Sequence, residues 1–441
     1  MSIFTTLGHK HLYRIEKTKT LSMEKEILYF DPQEVFVPIV DPVTSKPLKL
    51  SVAIGDEVKE GQIIGYSEKQ VPLYTTVSGT IVREEVMFHT RIGRNVKHFV
   101  IANDMKHTKV EPLNFLDESA SPSEIVGRMK DVGLSGQGGA GFPTYIKYMN
   151  ALGNIDTILL NGVECEPFLT TDHEAMLKHK DELIRGIQFM LKASGAKDAY
   201  IVYKKGNPDL DEHYSDIESI DSRIHVAHVK NVYPAGWERL IVKSVLKRTY
   251  DKLPSEAHVI VNNVSTAIML SRAMKGELET RKVITVSGNG VASQVNVDIP
   301  VYTRAIDIIE YVGGYTVEEA SVSFGGPMCS RGVAYDSAVI LPADNGLTIL
   351  KRIKVNTLPC LRCGECVEHC PVGLQPVEIK DAQQARNVER IMALEPWHCI
   401  SCGLCSYVCP SKIDVSDFVS KAKKRAMIQI KMQEKQKKEA K

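Results

Sequence analysis

CLRCGECVEHCP, residues 360–371, and CISCGLCSYVCP, residues 399–410, decide more about this chain than any other stretch. Both follow the spacing C-x2-C-x2-C-x3-C-P, with Cys360, Cys363, Cys366 and Cys370 before Pro371 and Cys399, Cys402, Cys405 and Cys409 before Pro410. Eight of the ten cysteines therefore fall in one short region. The N-terminus, MSIFTTLGHKHLYRIEK, carries no apolar stretch and no small-residue cleavage site, so export is not expected. Disulfides are then not expected either, and clustered cysteines of an intracellular chain read as metal ligands. Two-residue gaps let three thiolates of one loop reach three irons of one iron–sulfur cube, while the fourth thiolate, a helical turn further on, points away. Zinc sites use four ligands, usually as separated pairs, and match two tight triads poorly.

This is the spacing of bacterial ferredoxins with two 4Fe-4S clusters, in which the fourth cysteine of each run serves the other cluster. The expected sets are Cys360, Cys363, Cys366 and Cys409 for one cluster, and Cys399, Cys402, Cys405 and Cys370 for the second. Small neutral neighbours, Gly364, Gly403 and Ser401, suit backbone N–H bonds to cluster sulfurs. QPVEIKDAQQARNVERIMAL (375–394) reads as a connecting helix, so residues 351–418 are expected to form an all-α double-cluster ferredoxin domain. Two neighbouring one-electron centres serve electron transfer. Cys165 and Cys329 lie outside the pattern and are expected to be buried, inert thiols.

Working outward, 441 residues allow about three domains of ordinary size. Lys plus Arg (55) balances Asp plus Glu (54), which leaves no basic excess for general nucleic-acid binding. An apolar share of 43% is that of a globular chain. No run nears the ~18 apolar residues of a membrane span, so any membrane contact is expected to be peripheral. The whole reads as a multidomain α/β and β protein. Residues 1–30 look irregular. Residues 31–112 look β, with short Val/Ile runs punctuated by Gly55-Asp56, Gly61 and Ser78-Gly79. Their stretch 51–82 resembles a barrel-sandwich (lipoyl-like) domain. Such domains can carry an arm on a hairpin lysine. Lys69 lies near that place, but without the usual DK or MKM context it is expected to be a solvated turn residue.

Residues 113–275 alternate helix-like and strand-like segments, as an α/β domain does. SPSEIVGRMKDVG (121–133) reads as a helix with Ser121 or Ser123 at its cap and Gly133 at its end. IDTILLNGV (155–163) reads as a strand, HEAMLKHKDELIRGIQFMLKAS (173–194) as one long helix, and AYIVYKK (199–205) and AHVIVNN (257–263) as strands. Within 276–350, residues 281–314 read as two strands, a helix and a Gly pair. That order resembles the small β-grasp (SLBB-like) module found beside flavin domains in respiratory-type dehydrogenases. The tail, 419–441, has nine basic and two acidic residues in its last twenty-one and reads as a solvated helix.

GLSGQGGAGFPTYIK (133–147) holds a second signal. Gly136, Gly138 and Gly141 satisfy G-x-G-x-x-G, but the Rossmann version needs a strand directly before it, and here a helix precedes. What remains is physical: five glycines in nine residues let the backbone approach a ligand closely. A helix is expected next, with Thr144 and Lys147 in its opening turns as an anion site. NGVECEP (161–167) follows an apolar strand, so Asn161, Glu164 and Glu166 stand where ligands bind in open α/β sheets, and the two carboxylates could hold ribose hydroxyls.

The glycine loop with NGVECEP is similar to the flavin- and NADH-binding subunit of complex I, whose pattern runs GRGGAGFPTGLKW and then NADESEPG. With the cysteine runs at the C-terminal end, the chain resembles the C subunits of Rnf complexes, ion-pumping NADH–ferredoxin oxidoreductases. The match also takes in YPAGWERLI (233–241) and VIVNNVSTA (259–267), and covers roughly residues 30–415. The resemblance implies FMN, NAD(H) and two 4Fe-4S clusters as cofactors. It implies Gly136, Gly138, Gly139 and Gly141 around the FMN phosphate and backbone, Lys147 on the flavin, and Asn161 and Glu164 in contact with FMN. It puts Glu166 on the nicotinamide nucleotide and Phe142 against the NADH rings. Tyr233, Gly236 and Glu238 would line the site, with Asn262, Asn263 and Thr266 under the flavin phosphate. Val163 stands where the complex I pattern has Asp, Trp237 where it has the first Glu of Gly-Glu-Glu, and LGHKHL (7–12) where the Rnf proteins open with a GGIHPP-like run. The implied activity is oxidation of NADH, or reduction of NAD+, at FMN, with single electrons passed through the clusters. The implied partners are the other Rnf subunits and, indirectly, ferredoxin, at the cytoplasmic face of the membrane. The alternative is a soluble flavin/iron–sulfur donor to a reductase such as a cobalamin or proline reductase.

Overall fold

The computed structural model describes residues 19–439 except 24, 42, 331, 334 and 335, and the side chains of 437–439 are also outside the description. The LGHKHL segment lies outside the described residues. The chain forms two compact units. The larger holds Lys17–Asn231 and Glu238–Arg352; the smaller joins Val232–Trp237 to Ile353–Lys441.

In the larger unit, an antiparallel sheet in the order Glu34–Pro38, Arg94–Asn103, Gly79–His89, Glu57–Val58 accompanies a three-stranded one of Lys49–Leu50, Ile63–Tyr66 and Pro72–Tyr74. Phe36, Ile64, Ile81, Phe99 and Ile101 are buried in one core, and so are Val35, Val37 and Val100 between them, because these strands are covered on both faces. Gly79 pairs so closely with its neighbour that a Cβ would meet the Ala102 carbonyl oxygen at 1.8 Å. Lys69 is exposed in the turn between Ile63–Tyr66 and Pro72–Tyr74, as expected of a solvated residue.

The second layer is a parallel sheet, ordered Ile224–Val229, Asp198–Lys204, Thr157–Asn161, Val259–Asn263. Its central strands bury Ile158, Leu159 and Leu160, and Ala199, Ile201 and Val202, because helices cover them. Helix Pro122–Asp131 starts at Ser121, whose hydroxyl and Glu124 form a capping box, and Gly133 follows its end at φ +61°. The helix expected over 173–194 is two helices, Thr171–Lys178 and Lys180–Ser194. His179 breaks it, leaving helical geometry (φ −125°) with Arg272 3.2 Å from its Nδ1 and Glu182 beside it. Lys180–Ser194 meets Val264–Met274 backbone to backbone: a Cβ on Gly186 would lie 1.9 Å from the Ala267 carbonyl oxygen.

The third layer is a mixed sheet. Arg281–Ser287 and Val295–Pro300 form an antiparallel hairpin, and Gly346–Lys351 lies parallel to Arg281–Ser287. Ala320–Phe324 and Gly332–Val333 continue it antiparallel. Helix Ala305–Tyr311 buries Ile308 and Ile309 against Ile284, Val286, Val297 and Ile349. The segment 1–30, read as irregular, ends in a strand: Leu28–Tyr29 joins this sheet's edge, with Leu28 beside Val297.

The smaller unit is helical over its described C-terminal part: Glu365–Glu368, Pro376–Gln384, Val388–Ala393, Leu404–Tyr407 and Val415–Glu439. The last helix runs straight through the boundary expected at 418. Val415, Val419, Ala422 and Ala426, one stripe of that helix, are buried with Leu374, Ile379 and Ile391, so its first turns belong to the core. No described helix is long and apolar enough to cross a membrane.

Candidate functional site

The parallel sheet reverses its winding between Thr157–Asn161 and Val259–Asn263, so a crevice opens at their carboxyl ends. Asn161 and Asn263 stand side by side there. Helix Val264–Met274 begins at once, with Asn263 as its cap: the amide oxygen accepts the Ser265 N–H at 2.7 Å. The positive end of an eleven-residue helix therefore faces the crevice. The glycine loop closes over it. The Gln137 N–H donates to the buried Thr266 hydroxyl (3.0 Å), the Gly138 N–H to the Ala343 carbonyl (3.1 Å) and the Gly136 N–H to the Phe142 carbonyl (2.9 Å). Gly138 sits at φ +64°, and a Cβ there would come within 3.0 Å of the Asn263 amide nitrogen. Gly139 differs: the nearest protein atom to a Cβ would be the Gln137 carbonyl oxygen, 3.9 Å away. Gly138–Ala140 and Phe142 are exposed. An exposed glycine ridge with open space above it, beside a helix N-terminus, fits a phosphate-bearing, flat ligand such as FMN.

Other expected contacts are engaged within the protein. Helix Thr144–Tyr148 is only five residues long, too short for an N-terminal anion site. Lys147 turns its ammonium to the Val261 carbonyl (2.7 Å), with Asn262 Oδ1 at 3.5 Å, and burial pulls its pKa down. It ties loop to sheet. Asn262 is buried, donating to the Tyr148 hydroxyl at 2.6 Å. Asn161 accepts the Val163 N–H at 3.1 Å. Glu164 accepts the Asp172 N–H at 2.9 Å and meets the Lys19 ammonium at 3.2 Å; its carbonyl takes Lys19 (2.7 Å) and Lys204 (3.0 Å). Glu166 accepts the Met328 and Cys329 N–H groups at 3.0 and 2.9 Å, leaving no room for a Cβ on Gly326. The two carboxylates expected to meet ribose are here engaged within the protein: a buried carboxylate needs donors, and backbone N–H groups and lysines supply them. Cys329 is exposed and Cys165 half-buried, against the expectation of two buried thiols.

Two residues of this site escaped the sequence reading. Asp172 is buried at the crevice floor, accepting from Asn263 Nδ2 (2.8 Å) and Ser265 Oγ (3.3 Å). Burial, then the neighbouring Glu164, pushes its carboxyl above the ordinary range. Arg91, from the turn after Gly79–His89, donates to the Gly139 carbonyl (2.7 Å) and to Asp344 (3.1 Å). No local signal marks either, since one reads as a first-turn helix acid and the other as a hairpin residue. The Y-x-x-G-x-E segment is divided. Glu238 accepts from Tyr250 (2.9 Å), while Tyr233 and Gly236 fall in Val232–Trp237, and Tyr233 donates its hydroxyl to the Cys402 carbonyl at 2.6 Å.

The cysteine runs form a second centre. Gly364 (φ +84°) and Gly403 (φ +73°) turn the two loops into short helices, and Arg362 and Ser401, two residues before each, are also left-handed. Cys360, Cys363, Cys366 and Cys409 line one cavity with Val377, Lys380 and Ile413. The other four thiols neighbour one another: burial, with Cys370 and Cys399 nearby, pushes the Cys402 thiol up to about 12, and Cys370 and Cys405 rise for the same reasons. Such thiols stay protonated until a metal displaces the proton. Among the described residues, no three His, Cys, Asp or Glu converge on a point suited to a single ion. Four soft sulfur donors around a shared cavity fit an iron–sulfur cube.

Comparison with known proteins agrees with both centres. The Nuo51 FMN-binding domain matches residues 129–272, the 4Fe-4S dicluster domain residues 351–413, and the RnfC barrel sandwich hybrid domain residues 13–106. The C subunit of the proton-translocating ferredoxin:NAD(+) oxidoreductase complex of Clostridium ljungdahlii is 30% identical over 356 residues, 78% of this chain and 77% of the relative. The C subunit of the ion-translocating oxidoreductase complex of Rhodobacter capsulatus is 33% identical over 282 residues, 62% of this chain and 54% of that longer relative. Cobalamin reductase PduS of Salmonella typhimurium is 28% identical over 323 residues, 68% of this chain and 70% of the relative.

Proposed function

The chain belongs to the family of C subunits of ion-translocating ferredoxin:NAD+ oxidoreductase (Rnf) complexes, and on that premise we propose that it exchanges hydride between NAD(H) and FMN and passes single electrons through two 4Fe-4S clusters to or from the other subunits and ferredoxin. The observation that carries this reading is the presence in one chain of a glycine-roofed crevice at a sheet switch point and two sets of four thiols. Bound FMN supplies the change from hydride to single-electron chemistry. The protein's part is positional. Gly136, Gly138, Gly139 and Gly141 let the loop backbone lie against the flavin phosphate, over the N-terminus of Val264–Met274 with Asn263 and Thr266. Lys147, Asn161, Asn262 and Glu164 hold strand ends and loop in register around the flavin. Exposed Phe142 offers a ring face to the nicotinamide side, and Glu166 sets the segment at Met328–Cys329 that borders the nucleotide. Cys360, Cys363, Cys366 and Cys409 hold one cluster; Cys399, Cys402, Cys405 and Cys370 hold the other, the thiol groupings supporting this crosswise pairing.

Further proposals concern architecture. The strand order of the mixed sheet, with its hairpin, helix and parallel return, supports a β-grasp, SLBB-like module over 276–350. The barrel-sandwich (31–112) and flavin (113–275) domains and a ferredoxin domain that begins at 351 and takes in the first turns of Val415–Glu439 complete the division, with a basic helical end. A peripheral position at the cytoplasmic face of the membrane accords with membership of a membrane complex.

The test is anaerobic. NADH should bleach the flavin of the purified chain and then reduce its clusters. A chain that carries flavin and clusters but leaves both oxidised with excess NADH overturns the proposal. A second reading, a soluble donor to a reductase, is favoured by the match to cobalamin reductase. Recovery of the chain from native membranes with integral subunits excludes it; recovery without them supports it.

A further inference from the structure

We infer that Tyr233 and Lys423 are positioning residues of the cluster held by Cys370, Cys399, Cys402 and Cys405, fixing the carbonyls of its loop and raising its reduction potential; the inference rests on the two-cluster reading above. Tyr233 lies 169 residues before Cys402 in the chain, yet it is buried and donates its hydroxyl to the Cys402 carbonyl at 2.6 Å. Lys423, on helix Val415–Glu439, donates to the Cys399 carbonyl, also at 2.6 Å. It is half-buried, whereas Lys421 and Lys424 beside it are exposed. So one of the basic residues read from sequence as a solvated face is committed to the cysteine loop.

A physical reason links these contacts. A loop that wraps a cube directs its amide N–H groups inward to the sulfurs, as the Ser401 N–H does to Cys399 Sγ at 3.3 Å. Its carbonyls then turn outward and need donors when the loop is buried. Water can serve the first run, where Cys360 and Cys363 are exposed. It cannot serve Cys402, which is buried. Tyr233 takes water's place there, and Lys423 fixes the neighbouring carbonyl of half-buried Cys399. Reduction adds one negative charge to a cluster. Burial opposes that charge, while an O–H dipole and an ammonium turned towards the loop favour it. The second cluster would thus combine a more buried site with fixed donors to its loop, and the first a more exposed site with solvent as its partner.

The test uses the full chain, purified anaerobically, with reductive titration followed by electron paramagnetic resonance. Wild type and Cys409→Ala are compared first, because the latter should leave only the second cluster. In the Cys409→Ala background, Tyr233→Phe keeps the ring and removes the donor. At the parent midpoint, the reduced-to-oxidised ratio of the remaining cluster should fall severalfold (a tenfold fall corresponds to about 59 mV for a one-electron couple). Lys423→Gln should shift it the same way, and Lys423→Arg should restore it. In the otherwise wild-type chain, the first cluster's midpoint should stay in place. Unchanged midpoints in Tyr233→Phe and Lys423→Gln, with iron content intact, overturn the inference, as does a shift confined to the first cluster. If Tyr233→Phe does not fold, the Lys423→Gln and Lys423→Arg pair decides alone. A wild-type chain with no iron and sulfide overturns the two-cluster reading itself, and iron counting distinguishes that failure from the others.

Discussion

The cysteine region and the crevice of the parallel sheet handle their functional groups in opposite ways. In the cysteine region, Cys360, Cys363, Cys366 and Cys409 line one cavity and Cys370, Cys399, Cys402 and Cys405 neighbour one another, and surrounding groups such as the Leu374 and Ser401 N–H reach sulfurs singly. In the crevice, the polar side chains that motif matching brings forward are engaged with their own protein: Glu166 with Met328 and Cys329, Glu164 with Asp172 and Lys19, Lys147 with Val261, Asn262 with Tyr148. The difference follows from what is bound. A cluster is held by side-chain atoms, so its ligands must be kept available. A phosphate-bearing cofactor is held by backbone N–H groups and a helix end, so the side chains' task is to shape the backbone.

The comparison breaks first at the cysteines. Cys409→Ala should remove one cluster outright, taking iron from about eight to about four per chain, and the cluster lost should be the one that depends on Cys360, Cys363 and Cys366. Loss of the Cys399-dependent signal instead would refute the crosswise pairing. Next is Gly139→Trp. Since no protein atom crowds that position, folding stability should change by less than about 0.5 kcal/mol, while FMN binding to the chain should be abolished, leaving dithionite reduction of the clusters intact. Unchanged FMN affinity in a calorimetric titration would mean that the open space above the loop is not the ligand's. Third, Glu166→Ala leaves two N–H groups without their acceptor and should cost about 1–3 kcal/mol in urea unfolding, with weaker NADH bleaching of the flavin. A variant that loses NADH response without any loss of stability would make Glu166 a nucleotide ligand rather than a brace.

The smallest effect concerns Asp172. Its carboxyl is held above the ordinary range, so the folded chain binds this proton more tightly than the unfolded chain. Stability then falls as pH rises from about 4, the unfolded value, through the raised folded value. Asp172→Asn should remove that loss, gaining on the order of 1 kcal/mol near neutral pH and nothing at acid pH. Thermal unfolding across pH 4 to ~8 reads it out, and a gain independent of pH would assign the effect to packing.

Much of this was legible in the chain itself, for reasons particular to each region. The capping box at Ser121 and Glu124, the apolar strand at Thr157–Asn161 and the hairpin at Arg281–Pro300 are local patterns that their neighbours do not override. The break at His179 was not legible, because Arg272, the partner its ring meets there, lies 93 residues away. The Leu28–Tyr29 strand was not either, since two residues make a strand only where an edge is waiting. The run of lysines after residue 418 looked uniformly solvated, and only packing of the helix stripe at Val419, Ala422 and Ala426 separates Lys423 from its exposed neighbours.

The sequence by itself determined the ligand chemistry. Thiol spacing of two and three residues sets which sulfurs can reach one cube, and glycines at 136, 138, 139 and 141 set where backbone can be bare, because both are properties of a few consecutive residues. Only the tertiary structure decided which long-range partners the polar groups take. Asp172 against Asn263, Arg91 on Gly139, Glu166 on Cys329 and Tyr233 on Cys402 join residues 48 to 169 positions apart. Such pairings follow from how layers stack and strands order themselves, and a buried polar atom accepts whichever complementary group that stacking brings within reach.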